Sequence, residues 1–526
     1  VTSYTYNANN DRLEKVASGD SYVTYNYAKD QLSEILHNNG QVKYSFIYDE
    51  FGRMQAVRVG NQSTYRTLTT NTYDSRGLLT KATYGNGNVV NYKYDNLGRT
   101  TSKYYADNSK RTEYSYNADG LLGLERDYAN NSRTRYVYDM AGRLVEYDTR
   151  KYTTEDHGAL LQGISYQYED KTNRLLSHIL ELPNLSLKTS FIYGVKAQGQ
   201  MPDAVYGVSI DNAQKLSYTY DGLGRRTSRI LTLSGKQIPT RFTYVAGKQT
   251  NTTTTLVETI DNNGNILHYT YDVNGNITEI KENGVTKVVY SYDNFNQLVS
   301  ETVNGVVTTY TYDNGGNILS KTTNGTTINW SYNDSSWKDL LTNFNGYDIT
   351  YDAIGNPLSY RDGMKMTWQN GRQLATLQKD TNVISYQYNT DGVRTAKTVN
   401  GVTTKYVIDG GSIVSETKNG NTILYLFDES GNRFGFRYNG VEYYYIYNAQ
   451  NDVIGILDST GTQVVSYEYD SWGKLLSVTG SQASTIGEIN PIRYRGYYYD
   501  SETGLYYVSS RYYDPETCRW INADDT

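Results

Sequence analysis

Polar and apolar side chains alternate along much of this 526-residue chain. Val42, Tyr44, Phe46 and Tyr48 fall on one side of an extended backbone, with Gln41, Lys43 and Ser45 on the other; Val465, Tyr467 and Tyr469 repeat this against Ser466 and Glu468. A period of two carried by β-branched and aromatic residues predicts strands with one face more apolar than the other. Two kinds of turn bound them. One is a Tyr-Asp corner, fullest at Tyr48-Asp49-Glu50-Phe51-Gly52-Arg53-Met54, Tyr94-Asp95-Asn96-Leu97-Gly98-Arg99 and Tyr138-Asp139-Met140-Ala141-Gly142-Arg143-Leu144; successive corners from Tyr48 to Tyr138 lie 21 to 25 residues apart. Asp at a strand end hydrogen-bonds its own backbone two residues on, and Gly supplies the positive φ that reverses the chain. The other turn is Asn-Gly, at 283, 304, 324, 345, 370, 400, 419 and 439. It favours a type I′ hairpin, whose two central residues both need positive φ. Alternating the two turns leaves strands of roughly 5 to 8 residues and predicts a long antiparallel meander.

The building unit is plainest from Tyr290 to Asn324. Tyr290, Tyr292 and Asp293 lead to Asn304-Gly305, and Tyr310, Tyr312 and Asp313 repeat the phrase to Asn324-Gly325. The spacing stretches between 151 and 163 and again between 181 and 212, where Pro183 and Pro202 are poor ladder members; longer loops or irregular repeats are expected there. The array resumes at Tyr218, Tyr220 and Asp221 and runs to Tyr469-Asp470-Ser471-Trp472-Gly473. After Thr479 a segment denser in Arg and Tyr begins, so the expected division is 1–479, a repeat array, and 480–526, a distinct C-terminal segment. A lone hairpin of this type would not stand, because each cross-strand pair adds only about 0.2–1 kcal/mol; repetition supplies the stability. So long a sheet has to curl, close or cover its edges, and spacing alone leaves a barrel, a solenoid and a hollow coil open.

Composition narrows the function classes. The chain holds 57 Tyr and 46 Gly against 6 Pro, a set suited to strands and tight turns. The net charge of −6 is spread out with no basic block, so no nucleic-acid partner is expected. Cys518 is the single cysteine and excludes a disulfide within the chain. No apolar run approaches the roughly twenty residues of a membrane span. The sequence opens directly in repeat-like residues, Tyr4, Tyr6 and Asn7, and targeting signals are expected upstream of Val1.

The Tyr-Asp-x-x-Gly-Arg-Leu corner resembles the YD repeat of the Rhs family. Asn490-Pro491-Ile492-Arg493-Tyr494-Arg495-Gly496-Tyr497-Tyr498-Tyr499-Asp500, followed by Glu502-Thr503-Gly504-Leu505-Tyr506-Tyr507 and Arg511-Tyr512-Tyr513-Asp514-Pro515-Glu516, resembles the Rhs-associated core. The resemblance implies an all-β fold, an antiparallel β-ribbon spiralling into a hollow shell as in bacterial Rhs toxins, Tc toxin C components and teneurins. It also implies a core segment that plugs the shell and a C-terminal effector, enclosed or presented, that lies beyond residue 526. Many members release that effector at a self-cleaving aspartyl site built on Asp-Pro-x-Gly elements. Those elements are expected to follow Asp524-Asp525-Thr526, so this span is not credited with cleavage, and no enzyme activity is expected of it. Cys518 stands where the family commonly has Gly. A secreted or cell-wall-associated bacterial protein is implied, with upstream secretion or wall-anchoring domains as further partners. The alternative reading is a surface adhesion protein whose tyrosines bind glycans.

Candidate side chains fit structural roles better than chemical ones. The corner acids, such as Asp95, Asp221 and Asp313, recur where the chain reverses, whereas a glycosidase needs one pair of carboxylates about 5–9.5 Å apart. His37, His157, His178 and His268 are scattered without metal-ligand spacing, and no metal or cofactor is expected. Cys518 lacks a neighbouring His that would activate it. Asp514 and Asp524 are the partial candidates for the self-cleavage apparatus, with strand-end and turn roles favoured. Arg493, Arg495, Arg511 and Arg519 lie near Asp500, Glu502, Asp514, Glu516, Asp524 and Asp525, and internal ion pairing that fixes the plug is expected of them.

Overall fold

The computed structural model describes residues 2–37, 42–60, 64–152, 158–249 and 252–524. Its strands pair antiparallel with their sequence neighbours in three sheets of 31, 14 and 4 strands. In the building unit, Val285–Tyr292 pairs with Leu298–Val303, which pairs with Val306–Tyr312 and then Ile318–Thr323. Asn304 and Gly305 take φ of 50° and 81°, and Asn324 and Gly325 take 49° and 78°, the positive pair that a type I′ turn needs. At each Tyr-Asp corner the register shifts by one residue, as between Ser291 and Tyr292 and between Thr311 and Tyr312. Such bulges increase the local twist and bend the ribbon.

The ribbon coils back on itself. The Thr2 hydroxyl donates to Asn294 O, Ser21 to Asn314 and Tyr44 to Asp339, contacts 292, 293 and 295 residues apart. The separation then falls: 262 for Tyr147 and Asp409, 227 for Lys215 and Glu442, 185 for Asn262 and Tyr447, and 149 for Lys321 and Asp470. Each turn of the spiral is therefore shorter than the one before. The coil tightens toward its C-terminal end and is closed there by the segment beyond Thr479.

Where the coil is tightest, strands are buried on both faces. Ile423, Tyr425, Phe436 and Tyr445 face a core shared with Ile486, Ile492, Tyr498, Leu505 and Tyr512 of the C-terminal segment. Leu424, Leu426, Phe434 and Tyr444 face Leu187, Val208, Ile210 and Leu216 of the first sheet. The second sheet ends at Leu475–Thr479; a single helical turn, Ile486–Ile489, leads to a four-stranded sheet from Tyr498 to Trp520. The stretch 181–212 is more regular than its prolines suggest. Leu175–Leu182 and Leu185–Tyr193 form a full hairpin with Pro183 in its turn, and only 194–204, with a 3-10 turn at Lys196–Gln198, leaves the ladder. In the other irregular stretch, the strand Leu144–Lys151 and the strand Leu160–Tyr168 flank residues 153–157, which lie outside the described residues together with His157.

Candidate functional site

The corner acids serve the turn. Asp95 Oδ1 accepts the backbone N–H groups of Leu97 and Arg99, both at 2.9 Å, while Oδ2 accepts Arg99 Nε at 2.7 Å. Asp221 repeats this with Leu223 and Arg225, and Asp313 with Gly315 and Asn317. The Arg and the Tyr of the motif have roles that the residue pattern alone did not reveal. Arg99 lies over the ring of Tyr116 at the next corner, 4.4 Å from its centroid, and Arg53, Arg143 and Arg225 lie likewise over Tyr73, Tyr168 and Tyr244. Corner tyrosines donate their hydroxyls back to a strand of the preceding unit, as Tyr94 does to Leu79 O, Tyr116 to Thr100 O and Tyr138 to Leu122 O. Tyr, Asp and Arg therefore link consecutive corners through hydrogen bonds and cation–π contacts. The regular spacing of Tyr and Arg, about one unit apart, was the available signal.

Backbone N–H donation from Arg99 and Arg143, aided by their side chains, holds the carboxyls of Asp95 and Asp139 below the usual range. A depressed folded-state pKa gives stability that is present above the unfolded value near 3.9 and lost as pH falls through the folded value. Thermal melts between about pH 5 and pH 2.5 should therefore show a steeper acid loss for the wild type than for a variant carrying Asp95→Asn and Asp139→Asn. The cap itself should survive in that variant, because Asn117 and Asn389 already cap corners through Oδ1 at 2.9 Å. Equal acid slopes would contradict this reading.

The histidines lie apart. His37 sits edge-on to Tyr44, His178 packs between Tyr166 and Phe191, and His268 lies in the strand Asn265–Tyr271. Among the described residues no group of three or more His, Cys, Asp or Glu is placed to hold a metal ion. Cys518 is buried, and its thiol is pushed well above its ordinary pKa by that burial and by nearby Asp470. Its φ is 59°, in the left-handed region that favours Gly. Cys518→Gly should consequently be milder than Cys518→Ala, by about 1 kcal/mol in chemical denaturation, because Gly relieves the strained backbone while both lose the sulfur.

The C-terminal segment is held by buried charge. Asp500 is fully buried and accepts Arg394 Nη1 and Nη2 at 2.6 and 3.1 Å and Lys397 Nζ at 2.8 Å; Lys397 also reaches Glu502 at 3.0 Å. The rings of Tyr386, Tyr406, Tyr498 and Tyr507 surround the Arg394 guanidinium at 4.2 to 5.7 Å. Burial alone would raise the Asp500 pKa, but the charges of Arg394 and Lys397 outweigh it and hold the carboxyl below its usual range. Asp514, also fully buried, takes Arg361 Nε and Nη2 at 2.7 Å each, and caps its own turn at Glu516 and Thr517. Glu416 accepts the hydroxyls of Tyr498 and Tyr425, and burial raises its pKa.

These contacts revise the expected pairing. The buried acids of the plug find cations on the coil, Arg361, Arg394 and Lys397, and Glu516 pairs with Lys474. Of the four plug arginines, Arg511 pairs with Asp524, while Arg495 lies 3.9 Å from Asp452 of the coil. Arg493 donates to Asn490 O and Gly487 O and lies over Tyr499; Arg519 donates to Tyr332 and Asp339 O. Asp525 lies outside the described residues.

The sequence profile of the teneurin YD-shell family matches residues 266–526, and that of the RHS repeat matches 73–110. This chain is an Rhs/YD-repeat protein. Its fold is the family's all-β ribbon spiralling into a hollow shell. The chain is similar to the protein named tRNA nuclease WapA of Bacillus subtilis, 32% identical over 280 residues, covering 51% of this chain and 10% of that protein. It is similar to a double-stranded DNA deaminase toxin A of Burkholderia cenocepacia, 32% identical over 83 residues, covering 15% of this chain and 6% of the relative. The Photorhabdus luminescens Tc holotoxin pore matches all of this chain with 32% of its own, at a TM-score of 0.53 and 15% identity, a likeness of fold. This YD-repeat chain thus spans about a tenth or less of the curated relatives named here.

Proposed function

We propose that this span is the wall and plug of a container that encloses or presents a C-terminal effector of a bacterial surface or secreted protein, and that it is not itself the catalyst. The observation that carries this reading is the shortening spiral: contacts 292 residues apart at one end fall to 149, then to 106 where Arg394 meets Asp500 of the plug. A coil that narrows and is stopped has an inside. The names of the relatives support the division of labour. A protein named as a nuclease and one named as a deaminase toxin each share sequence with this chain over a small part of their own length, 10% and 6%, which leaves most of each relative outside the match. Upstream secretion or wall-anchoring segments belong to the same reading. No helix among the described residues is long and apolar enough to cross a membrane.

Glycan binding is a second reading with one observation behind it. Most corner tyrosines direct their hydroxyls to backbone carbonyls, but an open groove of about 800 Å³ near the first strands is lined by Tyr25, Tyr27, Arg12, Glu14 and Lys15. Rings beside charged hydrogen-bonding groups suit a saccharide. Electron cryomicroscopy of the natural polypeptide tests the first reading: polypeptide density inside the coil supports containment, and an empty or solid interior refutes it. Binding to a glycan array that is lost in Tyr25→Ala would favour the second.

A further inference from the structure

Six Asn-Gly hairpin turns share one backbone and differ in what holds the Asn side chain. Asn283, Asn304, Asn324, Asn400, Asn419 and Asn439 take φ of 47° to 50°, all six are exposed, and each following Gly has open space where a Cβ would stand. Three of them are clamped to the neighbouring hairpin turn. Asn283 Nδ2 donates to Asn265 Oδ1 at 2.8 Å, while Asn283 Oδ1 accepts the backbone N–H of Ile266 at 2.9 Å. Asn400 does the same with Asn382 and Val383, and Asn439 with Asn421 and Thr422, all at 2.8 to 2.9 Å. Among the described residues the side chains of Asn304, Asn324 and Asn419 have no hydrogen-bond partner.

The residue that opens the strand after the preceding hairpin turn separates the two groups. It is Asn265, Asn382 or Asn421 ahead of the clamped three, and Val285, Val306 or Val402 ahead of the other three. Valine has no carboxamide to receive the Asn side chain. Backbone pairing does not make the difference, because Asn304 N donates to Lys287 O at 3.1 Å as Asn283 N does to Ile266 O at 2.8 Å. Asn304 is therefore Asn283 without the clamp. Asn345 and Asn370 belong to neither group: the Gly346 N–H is taken by Asn343 Oδ1 at 3.0 Å, and Asn370 Nδ2 donates to Gln373 at 3.0 Å.

We infer that Asn304, Asn324 and Asn419 are sites of spontaneous deamidation in the folded shell, and that the carboxamide clamp protects Asn283, Asn400 and Asn439 from it. Asn is a thermolabile residue, and a following Gly puts no side chain in the way of the reaction. The Gly backbone nitrogen attacks Asn Cγ and closes a succinimide ring as the Cγ–Nδ2 bond breaks; ammonia leaves, taking up the proton that the Gly nitrogen gives up. Water then opens the ring at either carbonyl, to Asp or to isoaspartate. The carboxamide has to swing out of the turn before Cγ can be attacked, and a clamped one must first break two hydrogen bonds, so the clamp acts on the local opening that precedes the chemistry. The products alter the ribbon. Asp adds a negative charge, and isoaspartate puts an extra backbone carbon into a two-residue turn whose paired positive φ matches the strand twist. The hairpin edge thus ages at three turns and is held at three others of the same backbone.

Peptide mass spectrometry reads the conversion of amide to acid at each turn. The natural full-length polypeptide, wild type, Asn265→Val and Val306→Asn, would be incubated in warm, mildly alkaline buffer, with the same chains in guanidinium as the unfolded reference for each position. Relative to that reference, Asn304, Asn324 and Asn419 should convert at least about five-fold faster than Asn283, Asn400 and Asn439 in the folded wild type. Asn265→Val should move Asn283 into the fast group, and Val306→Asn should move Asn324 into the slow one. The second change adds protection and so cannot be mimicked by a loosened fold. Folded-state rates within about two-fold of one another at all six positions would overturn the inference, as would an Asn324 rate left unchanged by Val306→Asn.

Discussion

Asp500→Ala should lower the stability of the shell by about 3–5 kcal/mol, the largest effect expected of any single substitution at a charged residue here. The substitution leaves Arg394 and Lys397 without their shared carboxylate in a site where Arg394 is fully buried and Lys397 nearly so. A buried cation without a partner carries its full desolvation cost. Four tyrosine rings soften that cost for Arg394, since a desolvated cation–π contact contributes about 2 kcal/mol, but they surround the cation without replacing the carboxylate. Pairing Asp500→Leu with Arg394→Met and Lys397→Met should recover much of the loss, as replacing buried ion sets by apolar groups of similar volume often does. Urea unfolding of the three proteins measures both effects. A loss below about 1 kcal/mol for Asp500→Ala would mean that the plug is not held by buried charge.

Gly473→Ala is expected to cost about 3 kcal/mol through a different route, about 1–2 for a non-Gly residue in the left-handed region and 1–3 for overpacking, with partial relaxation. Gly473 has φ of 90°, and a Cβ there would lie 2.4 Å from the Tyr494 ring of the plug. That ring cannot simply swing away, because Tyr494 packs against Tyr469, Tyr506 and Tyr513. Gly305→Ala separates the two contributions. Its φ is 81°, but a Cβ there meets nothing within 4 Å, so only the backbone cost of about 1–2 kcal/mol should appear. Equal effects at the two positions would show that the plug does not press on the Gly473 corner.

How much of this could be read from residues depends on how local each feature is. The Tyr-Asp corner and the Asn-Gly turn were legible because their hydrogen bonds close within four or five residues, as at Asp95 and Arg99. Strand alternation was legible where one face is more buried than the other. It fades at Thr422-Ile423-Leu424-Tyr425-Leu426-Phe427, which is packed by the plug on one face and the first sheet on the other. Strands covered on both faces read as continuous apolar runs. The contacts between successive turns of the coil were not legible, since Ser21, the first residue of a strand, and Asn314, in a corner, are polar residues with nothing in either neighbourhood to name the other. The cations that hold the plug were hidden in repeats that look ordinary. In the corners Arg53, Arg99, Arg143 and Arg225 stand four residues after the Asp; Arg394 stands five after Asn389. In a strand one step changes the face, and Arg394 turns inward to Asp500 where Arg99 remains at its corner.

Protease protection of the natural polypeptide tests containment most directly. Intact protein and the Asp500→Ala variant would be digested with a nonspecific protease under native conditions, and the survival of peptides C-terminal to residue 526 tracked by mass spectrometry. The expected result is that those peptides persist as long as the coil does in the intact protein and are lost earlier in the variant, where the plug has lost its buried anchor. Rapid loss of the C-terminal peptides from an intact coil, at the same rate in both proteins, would contradict a closed shell with its effector inside.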